Sequence, residues 1–541
     1  MQGKVKGLWY FSLKILALMI NYTPSKQLTL EGFQHPFHKQ LKSDNRWVRL
    51  AELVPWDELA EIYARNLDPG SGRLSVDIRM VIGALIIKHK LSLSDRDTLD
   101  MISENVYMQY FCGLKSFQSE LPFDSSLFVD IRKRMGSEKF DQFNETVIRR
   151  AESLKPKRKR TIKNTSQGDN EKDDNSKSAL SQAKSSNEPA SNVSTPNQGR
   201  LKLDASVADQ YITYPTDLKL VNRSREETER LIDVLYEQGN FHKKPRTYRR
   251  KARKQYLALS KKRNKSKKEL RLVIGKQLRY VRRNISTIER MLDSIEAEGK
   301  DFAFGVRDQR IYWVVQHVFD QQMYMYRNRT RKCSDRIVNI YQPWVRPMVR
   351  GKDNADVEFG AKVNLSEVDG FVRCNHIGWD NYNEGGDLKK QVEDFKSLYG
   401  CYPKLLLGDR KYLSRENRRY LKEMGIRVVG KPLGRPPKEG LTGYQKYKTR
   451  KEQRMRNHVE AKFGQGKNGY NLNRIRARRQ DTSESWISAI FFVMNLTRLM
   501  KVAIEYGNFL AHLVKSLLRI IFSPVFEYNY YMADNRRVMP A

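Results

Sequence analysis

The chain has 541 residues, 39% of them hydrophobic, and 101 Lys and Arg against 62 Asp and Glu, for a net charge of +39. That length excludes a small stapled domain, and at roughly 150 residues per domain it gives about three units. So large a positive charge is far beyond what solubility needs and implies a polyanionic partner, nucleic acid first.

Cys112, Cys333, Cys374 and Cys401 are scattered with no CxxC spacing. Neither a structural zinc site nor a disulfide framework is expected, and a reducing cytoplasm fits. Residues 1–21 superficially resemble a signal sequence, but Lys14 interrupts the apolar run and no small-residue cleavage site follows. A start-codon overextension or a peripheral helix is the reading for this N-terminal extension, 1–45. The apolar run at 486–500 is expected to be too short and too polar to cross a bilayer, so no membrane partner is expected.

From 46 to 154 the apolar spacing is helical, and Gly136-Ser and Pro122-Phe-Asp separate the helices. This is an all-α N-terminal domain for DNA binding or dimerisation, with no helix-turn-helix signature sharp enough to name residues. Residues 155–199 open on the basic hexad Lys155-Pro-Lys-Arg-Lys-Arg160 and continue rich in Ser, Asn, Lys and Asp. Such a tract buries too little to fold and reads as a disordered basic and polar linker.

Leu201-Lys-Leu-Asp-Ala-Ser-Val207 alternates as a short strand with Asp204 at its middle. A helical insertion at about 218–330 follows. Between Lys243 and Arg283 it holds nineteen Lys or Arg and one acid, Glu269, interleaved with aromatic and aliphatic positions. A helical hairpin with a basic, phosphate-binding face is expected there, with Arg249, Arg250, Arg253, Lys261, Lys262 and Arg263 as DNA-contacting candidates.

Residues 357–365 and 371–377 form a hairpin about the Asp369-Gly370 turn, and a helix spans about 384–398. Pro403-Lys-Leu-Leu-Leu-Gly-Asp409 reads as a short buried strand with Asp409 at its carboxyl end, the edge of an open sheet where ligands and metals collect. A helix at 414–424 stopped by Gly425, a strand at 426–429, a basic helix around 447–463 and an apolar one at 486–502 complete the core, and a helical tail occupies 503–541.

That order is the order of an RNase H-like core: an α/β domain over 200–502, with a mixed five-stranded sheet, flanking helices and a large basic helical insertion after the first strand. In such a core the first and fourth strands are neighbours, which brings Asp204 beside Asp409 although 205 positions separate them. Glu460, on the helix after the last strand, is the best-placed third carboxylate. Three carboxylates about one point repel unless divalent cations lie between them, which implies two Mg²⁺ or Mn²⁺ ions. Lys467 and Asn457 lie on the same helix as Glu460, and Arg454 precedes it. All three are candidates for holding DNA, whereas His458 points away from Glu460. Glu358, Asp369, Asp380 and Glu384 also lie at strand ends, where turn or capping roles are expected.

Leu203-Asp-Ala-Ser206, Tyr214-Pro-Thr-Asp217, Glu358-Phe-Gly-Ala-Lys362, Trp379-Asp-x-Tyr-Asn-Glu384, Gly408-Asp-Arg-Lys-Tyr412, Leu433-Gly-Arg-Pro436 and the run from Arg456 to Lys467 together resemble the DDE transposases of bacterial insertion sequences, nearest the insertion sequence five superfamily. The resemblance spans nearly all of 200–501, and the helical front domain is similar to theirs. It implies that Asp204, Asp409 and Glu460 form a metal-binding catalytic triad. The enzyme would cut DNA at the element's terminal inverted repeats and join the freed 3′-hydroxyls to target DNA, as a homodimer. Lys411 stands where many relatives have Gly. The alternatives are a catalytically inactive, transposase-derived repressor and a structure-specific nuclease.

Overall fold

The computed structural model describes residues 21–24, 40–65, 67, 74–155, 196–301, 303–352, 355–429 and 442–534. The signal-like segment 1–20, nearly all of the polar linker, with residues 156–160 of its basic hexad, and the Leu433-Gly-Arg-Pro436 motif lie outside these residues.

The front of the chain is helical: α1 (Arg46–Leu53), α2 (Trp56–Ala64), α3 (Ile78–Leu91), α4 (Asp95–Glu104), α5 (Val106–Phe111), α6 (Leu127–Met135) and α7 (Glu138–Leu154). Local chemistry sets their starts. Asp77 accepts from the amides of Arg79 and Met80 at the head of α3, and Ser94 with Asp97 forms a capping box on α4. Every residue of α3 from Ile78 to His89 is buried. This helix is therefore the core of the domain and has no face to offer a DNA groove.

Strands β1 (Arg200–Asp209), β2 (Pro347–Lys352), β3 (Ala355–Val368), β4 (Phe371–Gly378), β5 (Leu405–Leu407) and β6 (Arg427–Val429) form one mixed sheet. The order is β2-β3-β1-β5-β6, and β4 also pairs with β3. The sheet thus has six strands among the described residues, where the sequence suggested five. The additional one is β2, whose opening proline and short alternation hide it: Met348 is buried, Val349 is exposed, and Pro347 is tolerated as the first residue of an edge strand.

Alternation divides the sheet faces. Leu201, Leu203 and Leu406 pack with Tyr412 and with Leu388, Val392 and Phe395 of α12 (Leu388–Tyr399). On the other face, Leu405 and Leu407 meet Met455 of α14 (Gly443–Gly469), while Val363 and Leu365 join the cluster around α15 (Gln480–Asp534). A short helix, α13 (Arg415–Glu423), capped by Ser414, links β5 to β6.

The insertion after β1 consists of α8 (Asp217–Gln238), α9 (Arg249–Ser260), α10 (Lys267–Ala297) and α11 (Val306–Arg327), with apolar clusters of its own around Val281 and Val315 and around Leu235 and Ile288. Helices α9 and α10 make the expected basic hairpin.

Residues 480–507 of α15 are long and apolar enough to cross a membrane, contrary to the sequence expectation, because buried Thr482, Ser483 and Ser485 extend the helix upstream of the apolar run. In the structure this segment is a core helix. Phe492 packs against Phe140 and Phe143 of α7, with ring centroids 5.9 and 5.2 Å away, so front domain and sheet share one hydrophobic core. The helix also continues past residue 502 without a break.

Candidate active site

The register of β1 against β5 places the first two acids. The strands run parallel with Lys202 opposite Leu407; Asp204 stands two residues further along β1, and Asp409 two residues past Leu407, just beyond the end of β5. Alternation turns both to the face covered by α14, since Leu203 and Leu406 bury on the opposite face. Asp204 is half-buried and Asp409 exposed. The Asp409 carboxylate also accepts from the Arg410 amide at 2.6 Å, capping the one-turn helix Arg410–Tyr412.

Glu460 is exposed on α14, one turn after Arg456. The Arg456 guanidinium lies 2.8 Å from the Glu460 carboxylate and 3.7 Å from that of Asp409, joining the two acids. Side chains so open to water form a pair worth about 0.2–1 kcal/mol, weak enough for another cation to displace. Among the described residues no three His, Cys, Asp or Glu side chains converge at metal-holding distance. The donor set is nonetheless right in kind: three carboxylates from adjoining elements, two of which already share a cation, suit a hard, oxygen-seeking ion such as Mg²⁺ or Mn²⁺.

Beside Asp409 opens a cleft of about 610 Å³ lined by Arg410, Arg418, Arg450, Arg454, Arg456 and Asn457. Arg454 and Asn457, expected from the sequence, are in it. Arg410, Arg418, Arg450 and Arg456 were missed, although Arg456 lies one helical turn before Glu460, a spacing that predicts the pairing.

Lys467 is on the same continuous helix but elsewhere. It is held 3.3 Å from Glu358 and 3.7 Å from Asp209, at the far end of β1. His458 is exposed on the side of α14 away from the acids.

Of the remaining strand-end acids, Asp369 takes the left-handed turn position at φ 50° and pairs with Lys155, and Asp380 pairs loosely with Arg346. Glu384 does more than begin a turn. It is buried against the Lys362 ammonium and lies 3.3 Å from Lys411. Burial alone would raise its carboxyl, but the Lys362 hydrogen bond and charge hold it below the usual range. The amide of Asn417 donates to the carbonyls of Gly385 and Tyr412, at 2.7 and 2.8 Å, tying the Glu384 turn to the Asp409 turn.

In the hairpin, Arg249 is engaged bidentately by Asp233, at 2.7 and 3.0 Å, and Lys262 pairs with Glu269 at 2.6 Å. Arg250, Arg253, Lys261 and Arg263 are exposed and outside any ion pair among the described residues.

Comparison with known proteins agrees with this layout. Residues 406–497, which include Asp409, Glu460 and the cleft, match the family described as Transposase DDE domain. Residues 35–134 match Transposase domain (DUF772). Over these two stretches the chain is similar to the transposases of DDE type. The chain is also 34% identical over 104 residues to an uncharacterized protein, ORF8 in the nfe locus of Rhizobium meliloti; the match covers 19% of this chain and about half the length of that relative. No solved structure matches.

Proposed function

We propose that this chain is a DDE transposase that cleaves phosphodiester bonds at the ends of an insertion sequence and transfers the freed strands into target DNA, using Asp204, Asp409 and Glu460 on an RNase H-like core. The observation that carries the reading is the parallel register that aligns Asp204 with Asp409 beneath the helix bearing Glu460. The placement of β1 between β3 and β5 supports the RNase H-like assignment.

Divalent ions held by these carboxylates would activate water or a 3′-hydroxyl and stabilise the leaving oxygen. The chain's own groups do the rest. Arg450, Arg454 and Asn457 hold the scissile strand along the cleft, and Arg456, in the same lining beside Asp409 and Glu460, would contribute a further cation to a phosphate. The exposed cations of α9 and the following loop hold flanking duplex. Both element ends must be handled together, which favours a homodimer.

The test is cleavage of labelled DNA carrying the element's own ends, with Mg²⁺ or Mn²⁺, by wild type and Asp409→Asn. Metal-dependent cutting at the ends that the mutant lacks supports the reading, and a strand-transfer assay separates it from a nuclease that cuts without joining. Tight end binding without cutting in either metal would instead indicate a transposase-derived repressor.

A further inference from the structure

The helix that carries Glu460 has a second polar face. His458, Lys462 and Gln465 line a cavity of about 1540 Å³ on the side of α14 turned away from the acids. It lies at the opposite end of the parallel strand pair, where Arg200 opens β1 across from Leu405. Leu405 stands four positions before Asp409, roughly 13 Å at about 3.3 Å each, and Lys202, also in the wall, stands two positions before Asp204. The remaining walls are the end of α7, the Asp369-Gly370 turn and α15 around Arg498 and Lys501.

Eight Lys and Arg line this cavity against four Asp and Glu. Each of the four acids has a cation in ion-pair range within the wall. Lys155 holds Glu152 and Asp369 at 2.5 and 3.1 Å, Lys202 holds Glu367 at 2.5 Å, and Arg498 holds Glu505 at 3.2 Å. Arg427 pairs with Glu452 outside the wall. Arg200, Lys404, Lys462 and Lys501 are left without a carboxylate in ion-pair range among the described residues. Lys462 is the least exposed of them, and its burial, together with nearby Arg498, Lys501 and Lys202, pushes its ammonium below the usual lysine range against the pull of Glu367.

Like charges gathered in a half-enclosed space repel, and an anion relieves that repulsion. The volume exceeds the roughly 300–1,000 Å³ of small-molecule pockets. Tyr399, Tyr506 and His458 set rings among the cations, the combination that holds nucleic-acid strands.

We propose that this cavity is a second nucleic-acid site, taking the phosphate backbone of a DNA segment at the sheet edge opposite the acidic residues. The inference rests on the DNA reading above, but its test requires no cleavage. Cys401 lines the cavity and serves as a native reporter. In the full chain, alkylation of Cys401 followed by mass spectrometry should slow when a DNA oligonucleotide is added. Protection should be lost in the variant combining Arg200→Ala, Lys404→Ala and Lys501→Ala, three exposed positions whose truncation spares the core, and also in Lys462→Met. It should persist in Arg454→Ala, on the catalytic side. The triple variant should also flatten the log-log salt dependence of DNA binding by about 2–3. Equal protection in wild type and the triple variant would overturn the proposal, as would protection by inorganic phosphate where DNA gives none. A wild-type protein that fails to cut element ends yet shows the Cys401 pattern would count against the proposed reaction and leave this site standing.

Discussion

Asp204 and Asp409 owe their proximity to one register, and their proposed roles differ from those of the cations around them. Asp204→Asn and Asp409→Asn should each lower end cleavage by about 10²–10⁴-fold, the range for losing a group that acts at the reacting atoms, with DNA binding retained. Gel shift and cleavage on the same preparation check this, and full activity in either mutant would remove that residue from the site. Gly385 tests how the Asp409 turn is supported. A Cβ there would meet the Lys411 carbonyl oxygen at 2.4 Å, so Gly385→Ala must shift the Glu384 turn and the Arg410–Tyr412 turn relative to each other. Cleavage should fall while DNA affinity holds, and unchanged kinetics would show that the turn is not needed to place Asp409. Lys88 makes a different prediction. It is buried against the Trp486 ring and bonded to Asp95 at 2.8 Å, and burial pushes it down to about 8. From about pH 8 to 10.5 the unfolded chain therefore binds more protons than the folded one, so stability should rise with pH through that window. Lys88→Met should reduce the rise in denaturation midpoint, while Asp95 keeps its bidentate bond to Arg132.

At the level of elements, the α9–α10 hairpin was plain in the sequence, because nineteen cations and one acid in so short a run have little structural use. Which of those cations face a ligand was not plain. The structure withdraws Arg249 and Lys262 into ion pairs and leaves Arg250, Arg253, Lys261 and Arg263 outside any among the described residues. Neutralising these four should flatten the log-log salt dependence of DNA binding by up to about 3.6, at 0.9 per lost phosphate contact. Arg249→Ala should instead act mainly on the stability of the insertion, through Asp233. A titration of DNA affinity against salt distinguishes the two, and an unchanged slope would mean that the hairpin faces another subunit.

At the level of the whole molecule, α15 is the joint. Its Phe491 and Phe492 are buried where α7 meets the sheet, so the front domain and the catalytic core should unfold in one transition. Phe492→Ala should cost about 3–5 kcal/mol, seen as a lower denaturation midpoint for both halves together. A variant in which the front domain melts alone would show that the two cores are separable. The same burial explains why a segment with the length and composition of a membrane span is an interior helix here.

The sequence alone determined most of the element order and the basic insertion, because local alternation, caps and charge excess are written in neighbouring residues. It nominated Asp409 because a buried leucine strand ends there, and Glu460 because the basic helix after the last strand carries it. Only the tertiary structure decided that β2 extends the sheet, that Lys467 serves Glu358 and Asp209 instead of the cleft, that Arg456 joins two of the acids, and that α14 has a second cationic cavity behind it. Apart from β2, which pairs with the strand next to it in sequence, these depend on groups far apart in the chain meeting across a register or a helix face, as Arg456 meets Asp409, and no local pattern encodes such a meeting.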